Sequence, residues 1–434
     1  MRPLGCLLVA AMSLTAATGV APTPPMGWNS WDCYGTTVTE TEVKANAGYM
    51  AAKLKPYGWQ YIVVDIQWSD PNARSHGYRP NAELAMDEYG RLIPAVNRFP
   101  SSANGAGFAP LAAYVHQLGL KFGIHIMRGI PRRAVAANLP VAGSKVRAAA
   151  IANQQSVCRW NTDMYGVDMT RPGAQDYYDS IVKMYAAWGV DYIKADDIAT
   201  PFHIDEIEAL HRAIQKSGRA IVLSLSPGPA DVGKAAQYAA NANLWRISDD
   251  FWDQWKPLLH AFSLLDRWSP YVKPEGWPDA DMLPLGRIGI RAEVGDDRMT
   301  RFNHDEQQTL MTLWSIARSP LMFGGDLPSN DEWTLSLLTN SGVLAANQHG
   351  ANSHQLFARG SQVAWISDAP GGGKFLGVFN TGEQPAEIRV DWKDLGMTGK
   401  RAIRDLWEKK DLGSVADGRT FAIPPHGAGM DRVK

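Results

Sequence analysis

Acidic side chains follow several short apolar runs in this chain, at positions where they could share one site. Asp65 comes after Val63-Val64, and Asp196, Asp250 and Asp281 end or follow similar runs further along. A single one of these carboxylates could simply cap the next helix. Several of them buried without partners would be very costly, so we expect them to face one water-filled site. Two such carboxylates can cleave a glycosidic bond, with retention of configuration when about 5–5.5 Å separates them.

Strand alternation selects one member of each acidic pair. Lys194 and Asp196 share one face of the run Tyr192–Asp197, whereas Asp197 shares the other face with aliphatic residues. We therefore predict that Asp196 faces the site. The positive charge of Lys194 should keep the carboxyl group of Asp196 ionised, as a nucleophile requires. Arg246 and Asp250 share a face in the same way, provided that the extended conformation continues to residue 250.

Strand and helix patterns alternate from residue 22 to 345, which predicts a parallel (β/α)₈ TIM barrel. The predicted strands are 26–31, 61–68, 121–127, 190–196, 220–226, 244–248, 281–285 and 321–325. The predicted helices are 41–54, 111–118, 175–188, 204–216, 252–265 and 306–316. An open doubly wound sheet is the alternative, but no Gly-x-Gly-x-x-Gly turn follows the first strand. Catalytic residues of such barrels lie at the carboxyl ends of the strands, which agrees with the position of the acidic side chains.

Residues 346–434 lack helical periodicity and predict a small antiparallel β-sandwich domain. Short alternating runs at 355–358, 363–367, 375–380, 386–391 and 421–424 are separated by Gly-rich and Asp-rich turns. Within the barrel, the Ala-rich and polar insertion 132–161 is expected to form a loop over the mouth.

The first 21 residues have the layout of a secretory signal peptide. Arg2 is followed by an apolar run and then by small residues through Ala17 and Ala21. The rest of the chain has no run of 18 apolar residues, so we expect a secreted or periplasmic protein without membrane insertion. Cys33 and Cys158 would stay in the mature chain, either paired or as buried free thiols. The net charge of −1, without a basic stripe, argues against nucleic acid as a partner.

Five segments in the same order resemble glycoside hydrolase family 27, the melibiase-type α-galactosidases and α-N-acetylgalactosaminidases. They are Met26-Gly27-Trp28-Asn29-Ser30-Trp31, residues 189–196, residues 245–250, residues 278–283 and residues 313–321. Jointly these motifs are specific, and the resemblance runs from residue 26 to about 350. It implies a TIM barrel, hydrolysis of glycosides with retention, and no metal or organic cofactor.

The resemblance also implies roles for individual residues. The family nucleophile falls on Asp196 and the acid/base on Asp250. Substrate-binding positions fall on Trp31, Asp65, Lys194, Arg246 and Asp281. We see no metal-ligand spacing in this sequence.

The chain departs from the family pattern at three positions that we also assign to the substrate site. Ile66 stands where the family usually has a second Asp, which grips the O4/O6 side of galactose. An alkyl group there tolerates a sugar that lacks the hydroxymethyl, such as β-L-arabinopyranose. His125 replaces a Tyr of the third strand. Ser226 lies where the family has larger residues and could leave room for an N-acetyl group.

Three hypotheses for function follow. The first is a retaining hydrolase of terminal α-galactosides, whose partner is a galactose-like oligosaccharide. The second keeps the chemistry but acts on β-L-arabinopyranosides or α-N-acetylgalactosaminides. The third is a non-catalytic carbohydrate-binding protein, which would have no need for the carboxylate pair. The oligomeric state is left open by the sequence.

Overall fold

The computed structural model describes residues 19–434, so most of the signal peptide predicted at 1–21 lies outside the described residues. Eight barrel strands and nine helices of at least seven residues build the described region up to residue 349, and shorter helices and strands lie in the connecting segments. The strands are β1 (Met26–Asn29), β2 (Tyr61–Val64), β3 (Lys121–Met127), β4 (Tyr192–Asp196), β5 (Val222–Leu225), β6 (Leu244–Arg246), β7 (Trp277–Asp279) and β8 (Leu321–Phe323). The helices are α1 (Glu40–Tyr49), α2 (Ala109–Gln117), α3 (Ala174–Trp188), α4 (Ile204–Ser217), α5 (Ala235–Asn241), α6 (Trp255–Trp268), α7 (His304–Ala317), α8 (Glu332–Leu338) and α9 (Ser341–His349).

The eight strands form one parallel sheet that curls into a barrel, as predicted. Its order is β7-β6-β5-β4-β3-β2-β1-β8, and every neighbouring pair is parallel. The barrel closes through a parallel bridge between Leu283, just after β7, and Phe323 of β8. There the Leu283 N–H donates to the Met322 carbonyl at 2.8 Å. All carboxyl ends of the strands therefore meet at one mouth.

Strand β4 shows how the sequence positions the site. Ile193 and Ala195 are fully buried in the core beneath the helices, whereas Tyr192 belongs to the apolar cluster inside the barrel. This is the alternation that the sequence predicted for the strand. It leaves Lys194 and Asp196 on the inner face, toward the mouth.

The structure differs from the prediction in the position of the seventh strand, in the earlier ends of β1 and β2, and in three helices, α5, α8 and α9, that were not predicted. The seventh strand is Trp277–Asp279 and not 281–285, because Asp281 has a φ of +86°, which no strand residue adopts. Pro278 is accommodated in the strand because β7 pairs there with β6 alone. Helix α5 was missed since Tyr238 is its one large buried side chain, too little to produce a helical period.

The C-terminal region is an antiparallel β-sandwich, as predicted. Its strands are β9 (Ala351–Arg359), β10 (Gln362–Asp368), β11 (Lys374–Asn380), β12 (Ala386–Asp391), β13 (Arg401–Asp405), β14 (Lys410–Val415), β15 (Gly418–Ile423) and β16 (Ala428–Val433). One sheet has the order β9-β10-β11-β16-β13-β14, and β12 pairs with β15 in the other. The sequence missed β13, β14 and β16. Strand β14 is almost wholly exposed, so it carries no apolar alternation.

Helix α7 joins the barrel to the sandwich. Eleven of its fourteen residues are buried, so it has no solvent-facing side. The Gln308 amide donates to the Ala428 carbonyl at 2.7 Å, and the Thr309 hydroxyl donates to the His426 carbonyl at 2.6 Å. The main hydrophobic core runs through both regions without a break. Because α9 ends at His349, the boundary expected between residues 345 and 346 falls inside this helix.

Cys33 and Cys158 are both buried free thiols, which resolves the two possibilities that the sequence left open. Within residues 19–434, no helix has the length and apolar character needed to cross a membrane.

Candidate active site

A cavity of about 160 Å³ lies at the mouth of the barrel. Its lining residues are Trp31, Asp65, Ile66, Tyr78, Trp160, Lys194, Asp196, Pro227, Asp249 and Asp250. Six of the ten residues predicted for the site therefore line this cavity. The other four, His125, Ser226, Arg246 and Asp281, are buried behind it. The cavity has room for one small ring.

Asp196 occupies the end of β4 and is held there as an anion. Its Oδ2 lies 3.0 Å from Nε2 of His125 on the neighbouring strand. Burial alone would raise the pKa of Asp196, but the hydrogen bond with His125 and the positive charge of Lys194 hold it well below its usual range. A carboxylate that stays ionised at neutral pH and lines a cavity is suited to nucleophilic attack.

Lys194 is fixed by a second carboxylate. Its Nζ donates to Oδ2 of Asp65 at 2.9 Å, and the Asn29 amide donates to the same oxygen at 2.7 Å. Burial opposes ionisation of Asp65, but the nearby charge of Lys194 lowers its pKa below the usual range. The pair therefore presents one fixed cation and one fixed anion to polar groups of a ligand.

Asp250 reaches the cavity from a loop. Strand β6 ends at Arg246, so the alternation that favoured Asp250 does not extend to it, and Asp249 lines the cavity as well. Arg246 bridges two acids, with Nη2 donating to Asp250 Oδ1 at 3.1 Å and Nη1 lying 2.9 Å from Asp281 Oδ1. The side chain of Asp250 is 57% exposed, whereas that of Asp196 is largely buried. The two carboxylates thus have different environments.

Ile66 is 3% exposed and lines the cavity directly after Asp65. Its N–H donates to Asp65 Oδ1 at 2.8 Å, and its side chain belongs to the same apolar cluster as Trp31 and Met127. It therefore presents a water-excluding alkyl surface beside polar neighbours. In the segment just after β5, Pro227 rather than Ser226 contributes to the lining.

Several residues of the site were not found from the sequence. Tyr78 and Trp160 belong to irregular segments, where no strand or helix period marks which side chains turn inward. Arg128 was missed too, although it binds both the carbonyl and the carboxylate of Asp197 at 2.7 Å. Asp197 follows the strand with a φ of +55°, so this ion pair holds a turn that L-residues seldom adopt. The pairing keeps Asp197 out of the cavity.

A buried acid beneath the site makes stability depend on pH. Burial raises the pKa of Asp279 to about 6, although the charge of Arg246 opposes this. The folded protein therefore holds this proton to a higher pH than the unfolded chain, whose Asp titrates near 3.9. The contribution of Asp279 to the free energy of unfolding therefore falls by about 3 kcal/mol as pH rises from about 4 to about 6.

We expect Asp279→Asn to remove this loss, because the amide stays neutral and its oxygen can still accept from the Asp281 N–H. Thermal unfolding should show a higher Tm for the variant than for the wild type at pH 8 and nearly equal values at pH 4. Asp266→Asn, an exposed site on α6, is the matched control and should leave both values unchanged. An equal change in Tm at pH 4 and at pH 8 would contradict the raised pKa of Asp279.

In the part of the chain that the structure describes, no group of three or more His, Cys, Asp or Glu side chains could hold a metal ion.

Comparison with known proteins agrees with this geometry. A family model described as α-galactosidase A matches residues 163–349, and one described as the α-galactosidase C-terminal β-sandwich domain matches residues 359–433. The α-galactosidase of Coffea arabica is 30% identical over 423 residues, which cover 95% of this chain and 94% of that protein. The chain belongs to glycoside hydrolase family 27.

Two solved structures are more similar still. A β-L-arabinopyranosidase of this family from Geobacillus stearothermophilus is 55% identical, with a TM-score of 0.94, covering 96% of this chain and 97% of that one. A Bacillus halodurans protein described as a candidate α-N-acetylgalactosaminidase is 50% identical, with a TM-score of 0.86, covering 95% and 97%. Family membership identifies the chain as a glycosidase, so a non-catalytic sugar-binding role is no longer needed to explain the pocket.

Proposed function

We propose that this glycosidase hydrolyses terminal β-L-arabinopyranosides with retention of configuration. The observation that carries this proposal is the position of Ile66, whose alkyl side chain lines the cavity that also holds Asp196 and Asp250. The similarity to a β-L-arabinopyranosidase at 55% identity supports the same glycone. From the sequence alone, α-galactosides came first, and the lining of the cavity now favours the smaller sugar.

The proposed reaction has two steps. In the first, a carboxylate oxygen of Asp196 attacks the anomeric carbon while Asp250 donates its proton to the glycosidic oxygen. The carbon–oxygen bond breaks, and the leaving group departs as an alcohol. In the second step, Asp250 takes a proton from water as the water oxygen attacks the same carbon and displaces Asp196. Two inversions at one centre give a sugar with the configuration of the substrate.

Ile66 supplies the argument for the glycone. L-Arabinopyranose in this anomeric series is galactose without its hydroxymethyl group, so it needs no polar partner at that position. A hydroxymethyl held against Ile66 would leave a buried hydroxyl unpaired. The ionised carboxylate of Asp65 and the ammonium of Lys194 stay available for the ring hydroxyls that the two sugars share.

We expect Ile66→Asp to raise the ratio of α-galactosidase to β-L-arabinopyranosidase activity. A carboxylate there gives the galactose hydroxymethyl a charge-assisted hydrogen bond of about 1.5–3 kcal/mol, or roughly 10- to 150-fold in selectivity. The ratio of kcat/KM on the two 4-nitrophenyl glycosides measures it. Ile66→Val is the matched control and should leave the ratio unchanged. A folded, soluble Ile66→Asp variant with the wild-type ratio would rule out the assignment.

The wild-type enzyme on a panel of nitrophenyl glycosides tests the proposed function itself. We expect the highest kcat/KM on the β-L-arabinopyranoside and a lower value on the α-galactoside, the second candidate that the curated α-galactosidases favour. Preference for the α-N-acetylgalactosaminide would instead assign the space near Ser226 to an acetamido group. Hydrolysis of none of the three would refute the proposal.

We also propose that the chain is exported, on the basis of the signal-like pattern of residues 1–21. The Ala21 N–H donates to Glu275 Oε2 at 2.9 Å, and the Ala21 carbonyl accepts from the Trp277 indole at 2.8 Å. Cleavage after Ala17 keeps both contacts of Ala21, whereas cleavage after Ala21 would remove them. We therefore favour Ala17 as the last residue of the signal peptide.

A further inference from the structure

Trp160 is a large apolar side chain left open at the mouth of the cavity. It lies in the insertion between β3 and α3, and 39% of its surface is exposed. It lines the same cavity as Asp196 and Asp250. An exposed indole at the rim of a cavity offers an apolar face to a ligand that extends out of that cavity.

A row of aromatic rings leads from the inside of the cavity to Trp160. The buried ring of Trp31 stacks on Tyr78 with centroids 6.3 Å apart and planes 13° apart. Tyr78 then contacts Trp160 at 5.5 Å, tilted by 43°. Tyr78 is half-buried, and burial together with the charge of Asp196 raises its pKa above the usual range. Trp160 is thus held from behind by Tyr78.

The direction of the leaving group follows from the proposed function, on which this inference rests. The leaving oxygen must lie beside the acid, and Asp250 is the more exposed of the two carboxylates. Because the cavity of about 160 Å³ holds one small ring, whatever is attached to that oxygen must extend outward past the rim. Trp160 forms part of that rim.

We propose that Trp160 is the binding surface for the leaving group, and that it takes a ring with a flat apolar face. Such a face is offered by a second sugar through its C–H groups or by an aryl aglycone. Contact with the indole binds the leaving group in the ground state and the transition state alike. Its loss therefore raises KM more than it lowers kcat.

The test compares three substrates that share whichever glycone the wild-type enzyme hydrolyses best. One is the glycosyl fluoride, whose leaving group is too small to reach Trp160, and the others are the nitrophenyl glycoside and a disaccharide. We expect Trp160→Ala to lower kcat/KM about tenfold on the two large substrates, mainly through KM, and to leave the fluoride unchanged. Trp160→Phe should restore most of the loss.

Tyr57→Ala is the matched control, because Tyr57 is also 39% exposed but lies before β2, at the amino end of the barrel. It should leave all three rates unchanged. A larger loss on the nitrophenyl glycoside or on the disaccharide identifies the aryl group or the sugar as the preferred ring. An equal loss on the fluoride, or no loss on either large substrate, would overturn the proposal. Failure of the wild-type enzyme on all three substrates would instead refute the proposed function.

Discussion

We expect Asp196→Asn to lower kcat by at least about four orders of magnitude while the protein stays folded. The amide is a poor nucleophile, and Asp65, which Lys194 also stabilises, already accepts hydrogen bonds from Lys194 and Asn29. The substitution also removes the charge that Lys194 and His125 stabilise, but Lys194 keeps its contact with Asp65. Steady-state kinetics on an activated aryl glycoside measure the loss, and circular dichroism checks the fold.

Azide distinguishes a lost nucleophile from a damaged site. Azide is a small anion that should supply the missing nucleophile and restore part of the turnover, giving a glycosyl azide of inverted configuration. Asp197→Asn is the matched control, since its carboxylate pairs with Arg128 outside the cavity. Azide should not accelerate that variant. Near-normal activity of Asp196→Asn, without azide, would show that the nucleophile lies elsewhere.

The second large effect concerns Asp250 and depends on the leaving group. We expect Asp250→Ala to lower kcat/KM by about 10²- to 10⁴-fold on substrates with alkyl or sugar leaving groups, which need a proton to depart. Dinitrophenyl glycosides need no such proton, so their first step should be nearly unaffected. The second step then becomes slow, and the covalent intermediate should accumulate as a burst of phenol release.

Asp249→Ala tests whether the right member of the acidic pair has been chosen. Both residues line the cavity, but Arg246 binds Asp250, and Asp249 accepts the Asp250 N–H at 2.9 Å. Asp249→Ala should therefore cause a smaller loss, equal for all leaving groups. A leaving-group dependence in Asp249→Ala and none in Asp250→Ala would exchange the two assignments.

The sequence predicted best where a regular strand carries the residues. In β4 the side-chain period of two separates Lys194 and Asp196 from Ile193 and Ala195, and the structure has the same division. The order of strands and helices likewise predicted the barrel, because each parallel strand needs a crossover before the next. Burial of both sheet faces makes these elements visible as long apolar runs.

Prediction failed where the chain leaves regular structure. Asp250 was selected by an alternation that ends at Arg246, so its place in the cavity depends on a loop whose course no period encodes. Tyr78 and Trp160 come from two separate irregular segments and meet only in the folded protein. The shift of β7 to Trp277–Asp279 has the same origin, because the positive φ of Asp281 reflects tertiary contacts.

The contacts of helix α7 with both regions constrain how the barrel and the sandwich can be recombined during evolution. Its Gln308 and Thr309 are bound by the sandwich, while the indole of Trp314 donates to the carbonyl of Asp281 at 2.9 Å, next to Arg246. A genetic exchange that replaced the sandwich with an unrelated module would uncover one side of α7 and loosen a support of the site. The two regions that separate family models match are therefore expected to pass through recombination together.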